Sequence, residues 1–124
     1  MRLALLFLAA PALVFAIGPA TAEPLPTNVG DCTTTTISWI GNRLDGAPDS
    51  GDAVEYANGG YGVSYDREPG LRAAQVGDEV TLCLTSIPED CPPGDDRGFI
   101  YKATDLRTGQ SWELPNAQHM CGGA

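Results

Sequence analysis

The chain is short of basic charge, of histidine and of branched aliphatic residues, and each shortage closes off a class of function. Only seven Lys and Arg stand against sixteen Asp and Glu in the 124 residues, a net charge of −9. Nucleic acid and anionic membrane surfaces repel such a chain, so neither is an expected partner. The single histidine, His119, lies close to the end of the chain. No Gly-x-Ser-x-Gly elbow accompanies it, and no phosphate-cradling glycine loop, haem motif or nucleotide fingerprint occurs. Long apolar runs are also missing, with one exception at the N-terminus. Leu3 to Ile17 is unbroken apolar sequence, preceded by Arg2 and followed by Gly18-Pro19-Ala20-Thr21-Ala22. That is the pattern of a secretory signal peptide. A transmembrane helix needs about 20 such residues, and Pro11 sits in the middle of this run. Residues 1–22 are therefore expected to be a signal peptide. The exported remainder is expected in the periplasm or outside the cell, without membrane insertion after cleavage.

Loss of Arg2 moves the formal charge from −9 to −10. Residues 23–124 contain seventeen Leu, Ile, Val and Phe in total, below the roughly 20% under which a charged chain tends to disorder. Two features oppose disorder. Trp39, Trp112, Tyr56, Tyr61, Tyr65 and Tyr101 supply large buriable surfaces. Cys32, Cys83, Cys91 and Cys121 are an even set of cysteines in a short exported chain, the usual remedy for a thin core. Two structural disulfides are expected. Four cysteines allow three pairings. Strand alternation, with a Pro88-Glu89-Asp90 turn folding back, favours Cys83–Cys91, leaving Cys32–Cys121 to join the two ends. A zinc site from these thiols and His119 would need reduced cysteines outside the cytoplasm, and the Cys83–Cys91 spacing is not the redox Cys-x-x-Cys.

Fourteen Gly and eight Pro punctuate residues 23–124, the texture of an all-β domain with many turns. Residues 23–31 read as an extended, exposed lead, since Pro24 and Pro26 block regular structure; residues 32–124 read as one domain. Thr33 to Leu44 is a first strand with Gly41 a bend or bulge. Residues 45–52, with Asp45, Asp49 and Asp52, form a connecting loop by composition. Asn58-Gly59 is a two-residue hairpin turn that pairs Tyr56 with Tyr61 and Val54 with Val63. A second hairpin, looping at Leu106 to Gly109, pairs Tyr101 with Leu114, Lys102 with Glu113 and Ala103 with Trp112. Between them, Val80, Leu82 and Leu84 alternate with Thr81, Cys83 and Thr85 as a central strand, and Pro69 to Gln75 reads as a helical turn. The expected fold is all-β: a small antiparallel barrel or sandwich of about six short strands, stapled by two disulfides.

The chemically unusual segment is Pro88 to Gly98, which gathers Glu89, Asp90, Asp95 and Asp96 around Pro-Pro-Gly with Arg97 directly after. These five residues are the candidate partner contacts. Carboxylates on one loop are also hard oxygen ligands for Ca²⁺, although the spacing is not that of an EF-hand. The plainer reading is that the Asp side chains bond nearby backbone N–H groups. No catalytic residue and no cofactor is assigned. A small hydrolytic or metal-dependent enzyme would have to use the 89–97 loop with His119.

GDDRG at 94–98, the tryptophan hairpin after it and the ending QHMCGGA at 118–124 resemble a group of short exported bacterial proteins. The likeness covers about the last third of the chain and implies no activity or ligand. A looser similarity, of type and not of motif, is to periplasmic lysozyme inhibitors, which are also small, disulfide-stapled β-proteins. The expected role is a non-enzymatic binding or structural module of the bacterial envelope. The alternatives are an acidic inhibitor of a cationic hydrolase such as lysozyme, and the small enzyme above. The expected partner is a cationic protein.

Overall fold

The computed structural model describes residues 23–123; residues 1–22, expected to be a signal peptide, lie outside the described residues. Six strands and one helical turn follow in order: β1 (Cys32–Asn42), β2 (Asp52–Tyr56), β3 (Tyr61–Val63), α1 (Pro69–Arg72), β4 (Glu79–Ser86), β5 (Ile100–Asp105) and β6 (Ser111–Pro115). The strands form one antiparallel sheet in the order β3-β2-β1-β4-β5-β6. The sheet curls into a half-barrel until its two edges meet: a Cβ on Gly62 in β3 would lie 3.3 Å from the Leu114 Cβ in β6. The fold is all-β, as the punctuation and alternation predict.

Alternation places the core. In β4, Val80, Leu82 and Leu84 are fully buried while their neighbours are not, the period-two signature of a strand covered on one face. Ile37, Val54, Tyr101, Ala103, Trp112 and Leu114 join them on the concave side. Leu71 is fully buried against this cluster from the single turn of α1, which Pro69 opens with its preset φ. The Trp112 indole N–H donates to the Tyr56 hydroxyl over 2.9 Å, so the polar ends of two core aromatics satisfy each other. Burial pushes the Tyr56 phenol well above its usual range.

The β5–β6 hairpin has the expected register, Tyr101 opposite Leu114, Lys102 opposite Glu113 and Ala103 opposite Trp112. The β2–β3 hairpin turns at the expected place but one residue out of register. Val54 faces Gly62 and Glu55 faces Tyr61. The reason lies in the turn. Tyr56 N–H donates to Gly60 C=O, Gly59 N–H donates to Tyr56 C=O, and Gly59 takes φ +87°. This is a three-residue loop closed by a left-handed glycine, not a two-residue one. The slip moves Tyr61 to the opposite face from Tyr56. The irregularity in β1 is likewise displaced, falling between Ile37 and Trp39 and not at Gly41.

Both expected disulfide pairings are corrected. The bridges are Cys32–Cys83 and Cys91–Cys121. Cys32 is the first residue of β1 and lies directly across from Cys83 of β4, their Cα atoms 4.0 Å apart. Cys83 therefore spends its bond within the sheet, and Cys91, in the loop beyond β4, is left for the C-terminal tail. The lead is also less exposed than expected. Pro26 is buried, its carbonyl accepts from the Tyr101 hydroxyl, and the Glu23 carboxylate accepts from Thr33 Oγ1 and the Thr34 N–H. Among the described residues no helix is long and apolar enough to cross a membrane. Two disulfides in so small a domain are consistent with an extracytoplasmic location.

Candidate functional site

The 88–98 loop is built as a clasp. Cys91–Cys121 anchors it to the tail. Asp95 grips Arg97 through both carboxylate oxygens, at 2.9 Å each, and also accepts the Gly122 N–H. The Arg97 guanidinium beside it and the Gly122 N–H hold the Asp95 carboxyl well below the usual carboxylate range. Cys121 N–H donates to the Arg97 carbonyl, and Asn116 bridges the Asp96 carbonyl and the Gly98 N–H. Two of the five candidate contacts, Asp95 and Arg97, are thus occupied by the fold itself. Glu89, Asp90 and Asp96 remain exposed, and none of their carboxylates enters a hydrogen bond or ion pair among the described residues. His119 is exposed on the tail and likewise makes no hydrogen bond among them. No group of three His, Cys, Asp or Glu side chains among the described residues converges as metal ligands would.

A second acidic cluster went unnoticed in the sequence. Asp78, in the turn before β4, receives both the Nε and an Nη of Arg107 at 2.8 and 3.0 Å, plus the Gln75 N–H. Asp105, at the end of β5, is fully buried and caps the hairpin turn by accepting the Arg107 and Thr108 N–H groups. Its other oxygen is buried without a partner among the described residues. The bond from Arg107 holds Asp78 far below the usual range, while burial and the adjacent Asp78 carboxyl raise Asp105. The cluster ties α1, β4 and the β5–β6 turn together. Its geometry is that of a fold-holding joint, since Arg107 also donates to the Ala73 carbonyl.

The other arginines are similarly engaged. Arg72 reaches Asp52, which is itself buried and accepts the Glu68 N–H ahead of α1; Asp52 is thereby a structural anchor and not a free loop carboxylate. Arg67 pairs with Asp49. Arg43 lies 4.2 Å over the Tyr65 ring and donates to the Ser50 carbonyl and to Gln118 Oε1.

The outward face of β1–β2–β3 carries a row of side chains placed by strand register. Trp39 sits opposite Glu55, and Glu55 opposite Tyr61. The next row is small, Gly41 opposite Ala53 and Ala53 opposite Val63, with Ala53 and Val63 buried despite facing outward. The Trp39 indole lies across Gly41 so closely that any Cβ there would collide with the ring. Trp39 is nonetheless 41% exposed. Glu55 is exposed, and its charge, after burial, raises the Tyr61 phenol. The sequence signal for this row was a tryptophan two residues before a glycine in a strand; its partners required the true β2–β3 register.

An open cavity of about 440 Å³ lies between the end of β1 and α1, bordered by Ile40, Asn42, Leu71, Arg72 and Val76. None of Asp95, Asp96, Arg97 or His119 lines it. A scan for known families and searches of curated proteins and of solved structures each find no match to the chain.

Proposed function

We propose that this chain is an exported, non-enzymatic binding module, periplasmic or secreted, whose partner is a cationic protein. The observation that carries the reading is the division of charge. Each of the five arginines among the described residues is engaged internally, four with aspartates and Arg43 on Tyr65. The sixth basic group, Lys102, faces Glu113 across the β5–β6 pair. The charge left toward solvent is therefore overwhelmingly negative, including Glu55, Glu89, Asp90 and Asp96. A surface of one sign steers an oppositely charged partner over distances comparable to the Debye length, about 10 Å at 0.1 M salt. The clasp supports the same reading, because a loop fixed at both ends presents its carboxylates at little cost in ordering entropy.

A cationic hydrolase such as lysozyme is the partner class to test first. Stopped-flow association at rising ionic strength should show an on-rate that falls steeply and an off-rate that changes little. The triple variant Glu89→Gln, Asp90→Asn, Asp96→Asn should fold normally and associate more slowly. Calorimetry at low salt that finds no heat with lysozyme or with a panel of basic proteins would overturn the reading.

A further inference from the structure

The outward Trp39–Glu55–Tyr61 row combines aromatic rings with an unneutralised carboxylate. Two aromatic side chains flank one carboxylate across three strands, at the roughly 5 Å spacing of directly opposed residues. The Trp39 indole is pinned by its seat on Gly41, with 41% of the residue still open to solvent. The Glu55 carboxylate makes no hydrogen bond or ion pair among the described residues. Beyond the small row, a cation already lies on an aromatic ring: the Arg43 guanidinium is 4.2 Å over the Tyr65 ring. Aromatic faces attract cations, Trp most strongly, and a nearby carboxylate adds charge complementarity.

We propose that the Trp39–Glu55–Tyr61 row seats a lysine or arginine side chain of a basic protein segment, the cation lying over the indole and paired with Glu55. This rests on the cationic-partner reading and assigns it a contact on the sheet, away from the 88–98 loop. A neutral glycan would also stack on an exposed indole and donate hydroxyls to Glu55, but it leaves the carboxylate's charge unanswered in a chain whose arginines are all engaged.

The test uses the exported, disulfide-bonded protein labelled with ¹⁵N, and hexa-arginine as the probe. The chain has two tryptophans, so two indole N–H signals are expected. That of Trp112, bonded to Tyr56, reports the fold, and that of Trp39 reports the site. Hexa-arginine should shift the Trp39 indole and the Glu55 and Tyr61 amides saturably while leaving Trp112 in place. Glu55→Gln should weaken this binding roughly three- to five-fold, and Trp39→Ala by at least as much, with the Trp112 signal unchanged. Shifts confined to Glu89, Asp90 and Asp96 would overturn the seat and leave the cationic-partner reading standing. An unaltered affinity in Glu55→Gln would overturn it equally. Chitohexaose shifting Trp39 where hexa-arginine does not would replace it with a glycan platform. No shift anywhere with hexa-arginine, together with no association with lysozyme, would remove both readings.

Discussion

The middle of the sheet and the C-terminal clasp are held by the same two devices, used for opposite reasons. Each has one disulfide, Cys32–Cys83 or Cys91–Cys121, and one aspartate gripped at two points by an arginine, Asp78 by Arg107 or Asp95 by Arg97. In the middle these ties reinforce strands that already bury Val80, Leu82 and Leu84 completely. Around the clasp there is no regular structure and little core; Phe99 is its one partly buried hydrophobic packed against the main cluster. There the ties stand in for burial. The arginine pairs differ in reach as well. Arg107 and Asp78 are 29 residues apart and join three elements, whereas Arg97 and Asp95 are two apart and shape one loop. The same chemistry thus supports global stability in one region and local order in the other.

Removing the disulfides one at a time gives the largest expected contrast. Cys32–Cys83 closes 51 residues, and the chain-entropy model assigns a loop of that size about 4 kcal/mol. Cys32→Ala with Cys83→Ala should lower the Tm by on the order of 15–30 °C. Cys91–Cys121 closes 30 residues, for which the same model assigns about 3.5 kcal/mol. Its removal should lower the Tm far less, because the tail can undock without opening the sheet. The loss should appear instead as faster proteolysis between residues 116 and 123. Equal Tm losses in the two double variants would break the distinction between the regions.

The legibility of the fold follows the same division. Positions whose two faces differ sharply were readable: β4, and the β5–β6 hairpin with Tyr101, Ala103, Trp112 and Leu114 inward and Lys102 and Glu113 outward. The β2–β3 register was not, because β2 buries Ala53 as well as Val54, so period-two contrast is absent where it was needed. Asn58-Gly59-Gly60 also supports loops of two or three residues, with Gly59 left-handed in both, and the folded φ of Asn58, which is not positive, separates them. Disulfide pairing depends on which strands lie side by side, here β1 next to β4, across about fifty residues of intervening chain. Local pattern carries no such information. The acidic loop was found by composition, yet composition did not separate Asp95, which is spent on the clasp, from Asp96, which is not.

Acidity sharpens the comparison at the middle of the sheet. Asp105 titrates above its ordinary value in the fold, so as pH falls from neutral the folded chain takes up this proton before the unfolded chain does. Stability should rise through that interval. Asp78 and Asp95 are held low, so below the ordinary carboxylate value of 3.8 the unfolded chain protonates first and stability should fall. The expected curve has a mildly acidic maximum. In Asp105→Asn the amide oxygen still accepts from Arg107 and Thr108, and its NH₂ can donate to Asp78. That variant should match the wild type near the maximum, exceed it at neutral pH, and retain the acid limb. Denaturant titrations at a series of pH values will check this; a variant that keeps the rise on acidification would assign it to another group.

The smallest expected effect separates two neighbours within the clasp. Asp95→Asn removes the charge that grips Arg97 and weakens the acceptor for Gly122 N–H. Asp96 contributes only its backbone carbonyl, to Asn116, while its carboxylate stays in solvent. Asp96→Asn should therefore leave stability within about 0.5 kcal/mol, as surface substitutions away from special features do. Asp95→Asn should raise the hydrogen-exchange rate of the Gly122 amide and speed cleavage of the tail, with little change in the global melt. Binding at low salt should not follow that order. Each substitution removes one negative charge, because Asp95→Asn leaves Arg97, paired with it at 2.9 Å in the wild type, uncompensated. Under the cationic-partner reading the on-rate with lysozyme should fall by a similar factor in both variants, and the fall should shrink as salt rises. Loss of binding in Asp95→Asn alone, together with tail order, would mean that the loop acts through its shape and not through its charge.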